Sequence, residues 1–226
     1  DYTPMFSYRV SGSRRNYTVA HMSAQAVVYE SGIQCLADRD TAYLPSVARD
    51  FFVDMPAGWD ESVVLEADPG EYVSIARRNG DNWYVGAMTV AAQDAVIPLS
   101  FLGDGEYYVS IFKDGEAYED IQAEYRTATK ADTLTTPMNA TGGVAVKISK
   151  TSVGAPESIT FDETELTLNR RDEITLEPTV LPEEAANAIL AWASSNPEVA
   201  TVLDGKVTAL RGGETTITAS YTNPFT

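Results

Sequence analysis

The feature that most constrains this fold is the tetrapeptide Asn79-Gly80-Asp81-Asn82, set between Tyr72-Val-Ser-Ile-Ala-Arg-Arg78 and Trp83-Tyr-Val-Gly-Ala-Met-Thr89. Asn and Gly supply the backbone angles of a tight hairpin, and the flanking aromatic and β-branched residues suit a pleated, half-buried surface. A second run, Val96 to Phe112, repeats the pattern around Gly103-Asp104-Gly105-Glu106. The stretch is therefore expected to form two successive β-hairpins. Further strands are expected at Ser62–Ala67, closed by Asp68-Pro69-Gly70, near Glu124–Thr129, and at Gly143–Ser149. Strands at this spacing, joined by glycine-rich turns with no helices between them, predict an antiparallel sandwich.

Ahead of the strands, Ala20, Ala24, Val27, Val28, Ser31 and Cys35 recur three or four apart, predicting a helix over Tyr17–Ala37 with Ser13 or Asn16 as its cap. A face of small residues lies close against its neighbour. No second helix of similar length follows, so the main partner of this one is expected outside the chain. Pro45 can open a short helix that buries Val47, Phe51 and Phe52 and ends at Pro56.

Thr151–Glu157 reads as a linker, and beyond it SITF, ELTLN, EITLEPTVLP, ILAWASS, ATV, KVTAL and TTITASYT give about seven short strands. Seven strands in some 70 residues suit an immunoglobulin-like sandwich. With no cysteine here, Trp192 has to fill its core unaided.

Charge narrows the partners. The net charge is −17, with 21 acids against 12 bases up to Gly154 and 12 against 4 after it. Such a surface repels nucleic acid and anionic membranes, and no run of about 18 apolar residues marks a transmembrane segment. One cysteine, Cys35, excludes an internal disulfide and a multi-cysteine zinc site.

Catalytic candidates are sparse. Acid–base work by a carboxyl pair needs the two groups to face each other, whereas Asp60-Glu61 and Glu119-Asp120 are sequence neighbours that point apart on an extended chain. His21, the single histidine, is expected to be a structural hydrogen-bonding residue, and Cys35 a small buried side chain on the helix's apolar face. Asp104-Gly105-Glu106 and Asp114-Gly115-Glu116 read as hairpin turns, since further oxygen ligands for calcium are not spaced around them. Trp59, Trp83, Tyr107 and Tyr108 are either core or a sugar-stacking platform.

Two resemblances organise these readings. LTLNRRDEITLEPTVLPEEA followed by LAWASSNPEVATVLDGKVTALRGGETTITA resembles the bacterial immunoglobulin-like group 2 domain. That resemblance implies a non-catalytic spacer or adhesion module. DYTP (Asp1–Pro4), AHMSAQAVVYESGIQCLAD, FFVDMPAGWDES, ARRNGDNWYVGAMT and IPLSFLGDGEYY resemble the carboxy-terminal end of glycoside hydrolase family 97. Met5 stands where the family's motif usually continues with glycine.

The family 97 resemblance implies a calcium-dependent α-glucosidase or α-galactosidase of the bacterial periplasm, cell surface or exterior, acting on α-linked oligosaccharides. Its catalytic acid, base or nucleophile, and calcium ligands would lie in an upstream catalytic barrel. The expected fold is accordingly mainly β. Residues 1–56 would be a helical remnant of a (β/α)8 barrel, 57–150 an antiparallel β-sandwich, 151–157 a linker and 158–226 the immunoglobulin-like domain. No catalytic or metal-binding residue is expected in this chain. Asp1 and Tyr2 would be substrate-proximal in the intact enzyme, at the carboxy-terminal face of a barrel strand. The alternative is a non-catalytic carbohydrate- or cell-surface-binding module.

Overall fold

A computed structural model describes residues 9–10, 13–14, 16–35, 46–53, 55–150, 156–181, 185, 188, 190–223 and 225. The chain divides into two compact units with the boundary between Lys150 and Thr151. Among the described residues no helix is long and apolar enough to cross a membrane. Asp1 and Tyr2 lie outside the described residues.

In the first unit a short ribbon, β1 (Arg9–Val10) with β2 (Ser13–Arg14), precedes helix α1 (Val19–Val28) and the single-turn α2 (Arg49–Val53). Strands follow: β3 (Glu61–Asp68), β4 (Tyr72–Asn79), β5 (Asn82–Thr89), β6 (Gln93–Pro98), β7 (Tyr107–Asp114), β8 (Ile121–Ala128), β9 (Thr133–Met138) and β10 (Gly143–Ser149). Six of them form one antiparallel sheet in the order β3-β4-β5-β10-β7-β8, and β6 pairs with β9 in a second sheet. The expected hairpin at Asn79-Gly80-Asp81-Asn82 is present. Asn79 pairs with Asn82, and Gly80 takes the left-handed φ of +57° that this two-residue turn requires.

The second expected hairpin is not formed. β6 and β7 belong to different sheets, and the segment between them crosses from one to the other. Leu99 and Leu102 are buried on the way, the Leu99 amide donates to the Asp132 carbonyl across the gap, and the Leu102 amide donates to the Leu99 carbonyl. β9, not expected from the sequence, completes the small sheet. Its Leu134, Thr136 and Met138 face inward, and Pro137 sits on a two-stranded sheet with a free edge, where a missing N–H is tolerated.

The inner core lies between the two sheets: Trp83, Val85, Tyr107, Val109, Ile111, Val144, Val146 and Ile148 meet Ala95, Ile97, Leu99, Leu134 and Met138. The opposite face of the six-stranded sheet carries the helices. There Val19, Ala26, Val27, Ala48, Phe51 and Phe52 pack on Tyr84, Phe112 and Ala145.

The small-residue face of α1 therefore finds its partner within the chain, which corrects the expectation of an external one. The helix also ends at Val28 and not near Ala37, and it is capped by Thr18, whose hydroxyl accepts from the His21 amide at 3.0 Å. Ser31 and Cys35 thus fall beyond the helix, and Cys35 is exposed. Phe51 and Phe52 are buried as expected, Val47 is exposed, and Pro45 lies outside the described residues.

Among the described residues the second unit holds seven short strands: β11 (Ser158–Thr160), β12 (Glu173–Thr175), β13 (Thr179–Leu181), β14 (Ala191–Ser194), β15 (Ala200–Leu203), β16 (Lys206–Ala209) and β17 (Ile217–Ser220). They pair as β11-β13, β12-β16-β15 and β14-β17, all antiparallel. The expected strand EITLEPTVLP is split at Glu177-Pro178 into β12 and β13 in different sheets, and ELTLN is not a strand. Trp192 is half-buried against Phe161, with ring centroids 5.9 Å apart, and Val199 is buried.

Candidate functional site

A cluster of buried and half-buried polar groups lies where the first turn of α1 meets the ends of β7 and β10. Asp114 closes β7 with its carboxylate turned inward. It accepts from the Asn139 amide at 2.8 Å, from the Gly143 amide at 3.2 Å and from the Thr18 hydroxyl. His21 Nδ1 donates to the Gly142 carbonyl at 3.0 Å, and the Tyr17 ring stacks on the imidazole at 5.4 Å. At the helix start the Thr18 N–H also donates to the Thr141 carbonyl and the Val19 N–H to the Tyr118 carbonyl.

Burial, the larger influence, raises the Asp114 pKa against the pull of its hydrogen bonds and of His21. Burial likewise lowers that of His21, opposed by the Gly142 bond and the charge of Asp114. The two side chains are neighbours in charge, but the imidazole proton goes to a carbonyl, not to the carboxylate. Ser23, the nearest hydroxyl on the helix after Thr18, spends its proton on the Val19 carbonyl at 3.0 Å. This is a clamp on the helix and not a catalytic triad.

The other end of α1 is held by Arg77, a buried arginine on β4. Its guanidinium donates to the Val28 carbonyl at 3.4 Å, to Ser62 Oγ at 2.9 Å and to Glu30 at 3.3 Å, and lies over the Trp59 ring at 6.0 Å. Gln34 folds back to donate to the Ala26 carbonyl. The helix stops because these side chains take its last carbonyls. Between the clamps the fit depends on Gly86 and Gly143: a Cβ on Gly86 would stand 2.5 Å from the Ala24 carbonyl oxygen, and one on Gly143 2.6 Å from the His21 Cα.

The remaining candidates are structural. Arg78 binds both Glu61, at 3.1 Å, and Asp60, at 3.5 Å, and Asp60 also accepts the Gly80 amide. Asp120 accepts the Ala117 amide within its own turn, and Asp104 pairs with Lys130. Among the described residues no three His, Cys, Asp or Glu side chains converge on a point. With the Asp114 carboxylate committed to protein donors, these residues do not fit a calcium ion. Trp83 and Tyr107 are buried in the inner core, at 5% and 3% exposure, and Tyr107 accepts the Gly103 amide. Trp59 is half-buried on the helical face, its ring against Tyr84. Hence Trp59, Trp83 and Tyr107 form no open sugar-stacking platform. Arg77 was not singled out by the sequence reading. Its signal is positional, a charge on the strand face otherwise occupied by Val73 and Ile75.

Comparison with known proteins agrees with this architecture. Residues 58–149 match the family model described as the glycosyl-hydrolase 97 C-terminal domain, oligomerisation, and residues 155–223 match the bacterial Ig-like domain of group 2. A retaining α-galactosidase of Bacteroides thetaiotaomicron is 36% identical over 154 residues, covering 66% of this chain and 23% of the relative. A probable retaining α-galactosidase of Streptomyces bingchenggensis is 38% identical over 122 residues, covering 53% of this chain and 19% of the relative. The solved structure of a family 97 glycoside hydrolase from Pseudoalteromonas sp. strain K8, in complex with acarbose, superposes with a TM-score of 0.60 at 31% identity, over 65% of this chain and 25% of that one. This chain thus spans about a quarter or less of the length of these relatives. It carries a glycosyl-hydrolase 97 C-terminal domain followed by a bacterial immunoglobulin-like domain of group 2.

Proposed function

We propose that this chain is the non-catalytic carboxy-terminal part of a bacterial α-glycosidase of the retaining α-galactosidase type. One observation carries the reading: a retaining α-galactosidase and a probable retaining α-galactosidase share 36% and 38% identity with it while the matches cover only 23% and 19% of their length. The hydrolytic carboxylates and a calcium ion belong, in this reading, to an upstream (β/α)8 barrel, of which residues 1–56 are the end. Asp1 and Tyr2 sit near the substrate, an α-linked galactoside, in the intact enzyme. The sandwich is a scaffold that, as its family's description suggests, also brings copies of the enzyme together. The immunoglobulin-like unit is a spacer or adhesion module, and the protein works in the periplasm or outside the cell. Burial of Trp83, with Trp59 and Trp192 half-buried, favours a scaffold over a glycan-binding module.

The test is hydrolysis of para-nitrophenyl α-galactoside and α-glucoside, with and without calcium, by this chain and by a form extended upstream through a whole barrel. The expected result is no turnover by the chain alone and chelator-sensitive turnover of the α-galactoside by the extended form. Turnover by the chain alone, or a folded extended form that is silent on both, would overturn the reading.

A further inference from the structure

Asn79 and Gly80 lie at the tip of the β4–β5 hairpin, and both are exposed. An asparagine followed by glycine is open to intramolecular cyclisation, because glycine has no Cβ to crowd the attacking backbone nitrogen. Here that nitrogen is held. The Gly80 N–H donates to Asp60 Oδ2 at 2.8 Å, and the Asn79 side-chain amide donates to the Gly58 carbonyl at 3.0 Å. The Asp60 N–H donates in turn to the Arg78 carbonyl at 2.8 Å, and Arg78 Nη1 donates to the Gly80 carbonyl at 2.9 Å. Residues 58–60 thus clasp the hairpin tip.

The clasp takes hold of both reacting groups. Ring closure needs the Gly80 nitrogen to lose its proton and reach the Asn79 Cγ, so the Asn79 side chain has to leave Gly58 and the Gly80 amide has to leave Asp60. The Asp60 carboxylate also opposes the first step, since the amide anion would form beside a like charge.

We propose that Asn79 is a deamidation site latched by Gly58 and Asp60, modified when the hairpin tip opens and unable to latch again in its original form. In the reaction the Gly80 nitrogen bonds to Asn79 Cγ, the Cγ–Nδ2 bond breaks, and the amide nitrogen departs as ammonia with the Gly80 proton. Water then opens the succinimide at one or other carbonyl and leaves aspartate or isoaspartate. Both products lack the amide that donated to Gly58. Both add a negative charge close to Asp60 and Glu61, which already share Arg78. Isoaspartate also adds a carbon to the main chain where Asn79 pairs with Asn82, and so disturbs the register that the two-residue turn sets.

Peptide mass spectrometry of the full chain after incubation in mildly alkaline buffer reads the conversion at Asn79. Asn139, exposed but followed by Ala140, is the reference in the same chain. The folded wild type is expected to convert at Asn79 at least about tenfold more slowly than the same chain in denaturant, the scale of losing a hydrogen bond to a charged group. Asp60→Ala should raise the rate in the folded chain about tenfold, and Asp60→Asn, which keeps an acceptor oxygen and removes the charge, by less. A thermal melt shows which variants are folded at the incubation temperature; if Asp60→Ala is not, Asp60→Asn and the comparison of folded with denatured wild type carry the test. A folded wild type that converts as fast as the denatured chain, folded Asp60 variants no faster than the wild type, or conversion at Asn139 outpacing that at Asn79 once Asp60 is replaced would overturn the proposal.

Discussion

The two faces of the six-stranded sheet are made from alternate residues of the same strands, yet they are held by different physics. The inner face is apolar filling: Val85, Val109, Ile111, Val144, Val146 and Ile148 meet Ile97, Leu99 and Leu134 from the opposite sheet. Its stability is set by volume, since each methylene fills space in a close-packed interior. On the outer face side chains have been removed where α1 lies closest, at Gly86 and Gly143. The helix packs Val19, Ala26 and Val27 on Tyr84, Phe112 and Ala145, and is in addition fixed at its two ends by Asp114 and Arg77. Filling is tolerant of exchange between similar volumes, whereas a polar clamp fixes position and depends on single atoms.

The largest expected effect tests the filling. Ile97→Ala removes a fully buried side chain from the inner core and should cost about 2–5 kcal/mol in a denaturant titration. Next is the helix seat. Gly143→Val places a branched side chain where a Cβ alone would already meet the His21 Cα, so α1 has to shift, at a cost of about 1–3 kcal/mol. Loss of α1 protection with the inner core intact would separate the two faces experimentally.

A smaller effect is expected from Asp114→Asn, which replaces an acceptor of two amides and a hydroxyl, at about 1 kcal/mol. Smallest is the pH dependence. Folding raises the Asp114 pKa, so its favourable contribution is fully present below the unfolded carboxylate value near ~4 and is lost as pH rises through the folded value. Folding lowers that of His21, so its contribution is present above the unfolded value near ~6.5 and is lost as pH falls through the folded one. Melting curves against pH should therefore lose the first dependence in Asp114→Asn and the second in His21→Gln.

Much of the inner face was legible in the sequence because strand periodicity and turn chemistry are local. Asn79–Asn82 specifies a hairpin by itself, and β3, β4, β5, β8 and β10 follow from alternation. Partner choice is not local. The run from Val96 to Phe112 has a hairpin's pattern, and only Leu99 and Leu102, buried between the sheets, reveal a crossing. The end of α1 was hidden for a related reason. Ser31 and Cys35 keep helical spacing, but the stop is supplied by Arg77, 49 residues from the carbonyl it binds. At the candidate site, the hydrogen-bonding role of His21 followed from its place on a helix without a nucleophile nearby. Asp114 read only as part of a turn, because its partners Thr18, Asn139 and Gly143 are assembled by the fold.

The central structural claim is that α1 is an integral layer of the sandwich, although it precedes the residues matched by the family model. Native-state hydrogen exchange reads this directly. The account predicts that the Ala24–Val28 amides exchange as slowly as those of β5 and β10 beneath them. Rapid exchange across α1 while the six-stranded sheet stays protected would contradict it.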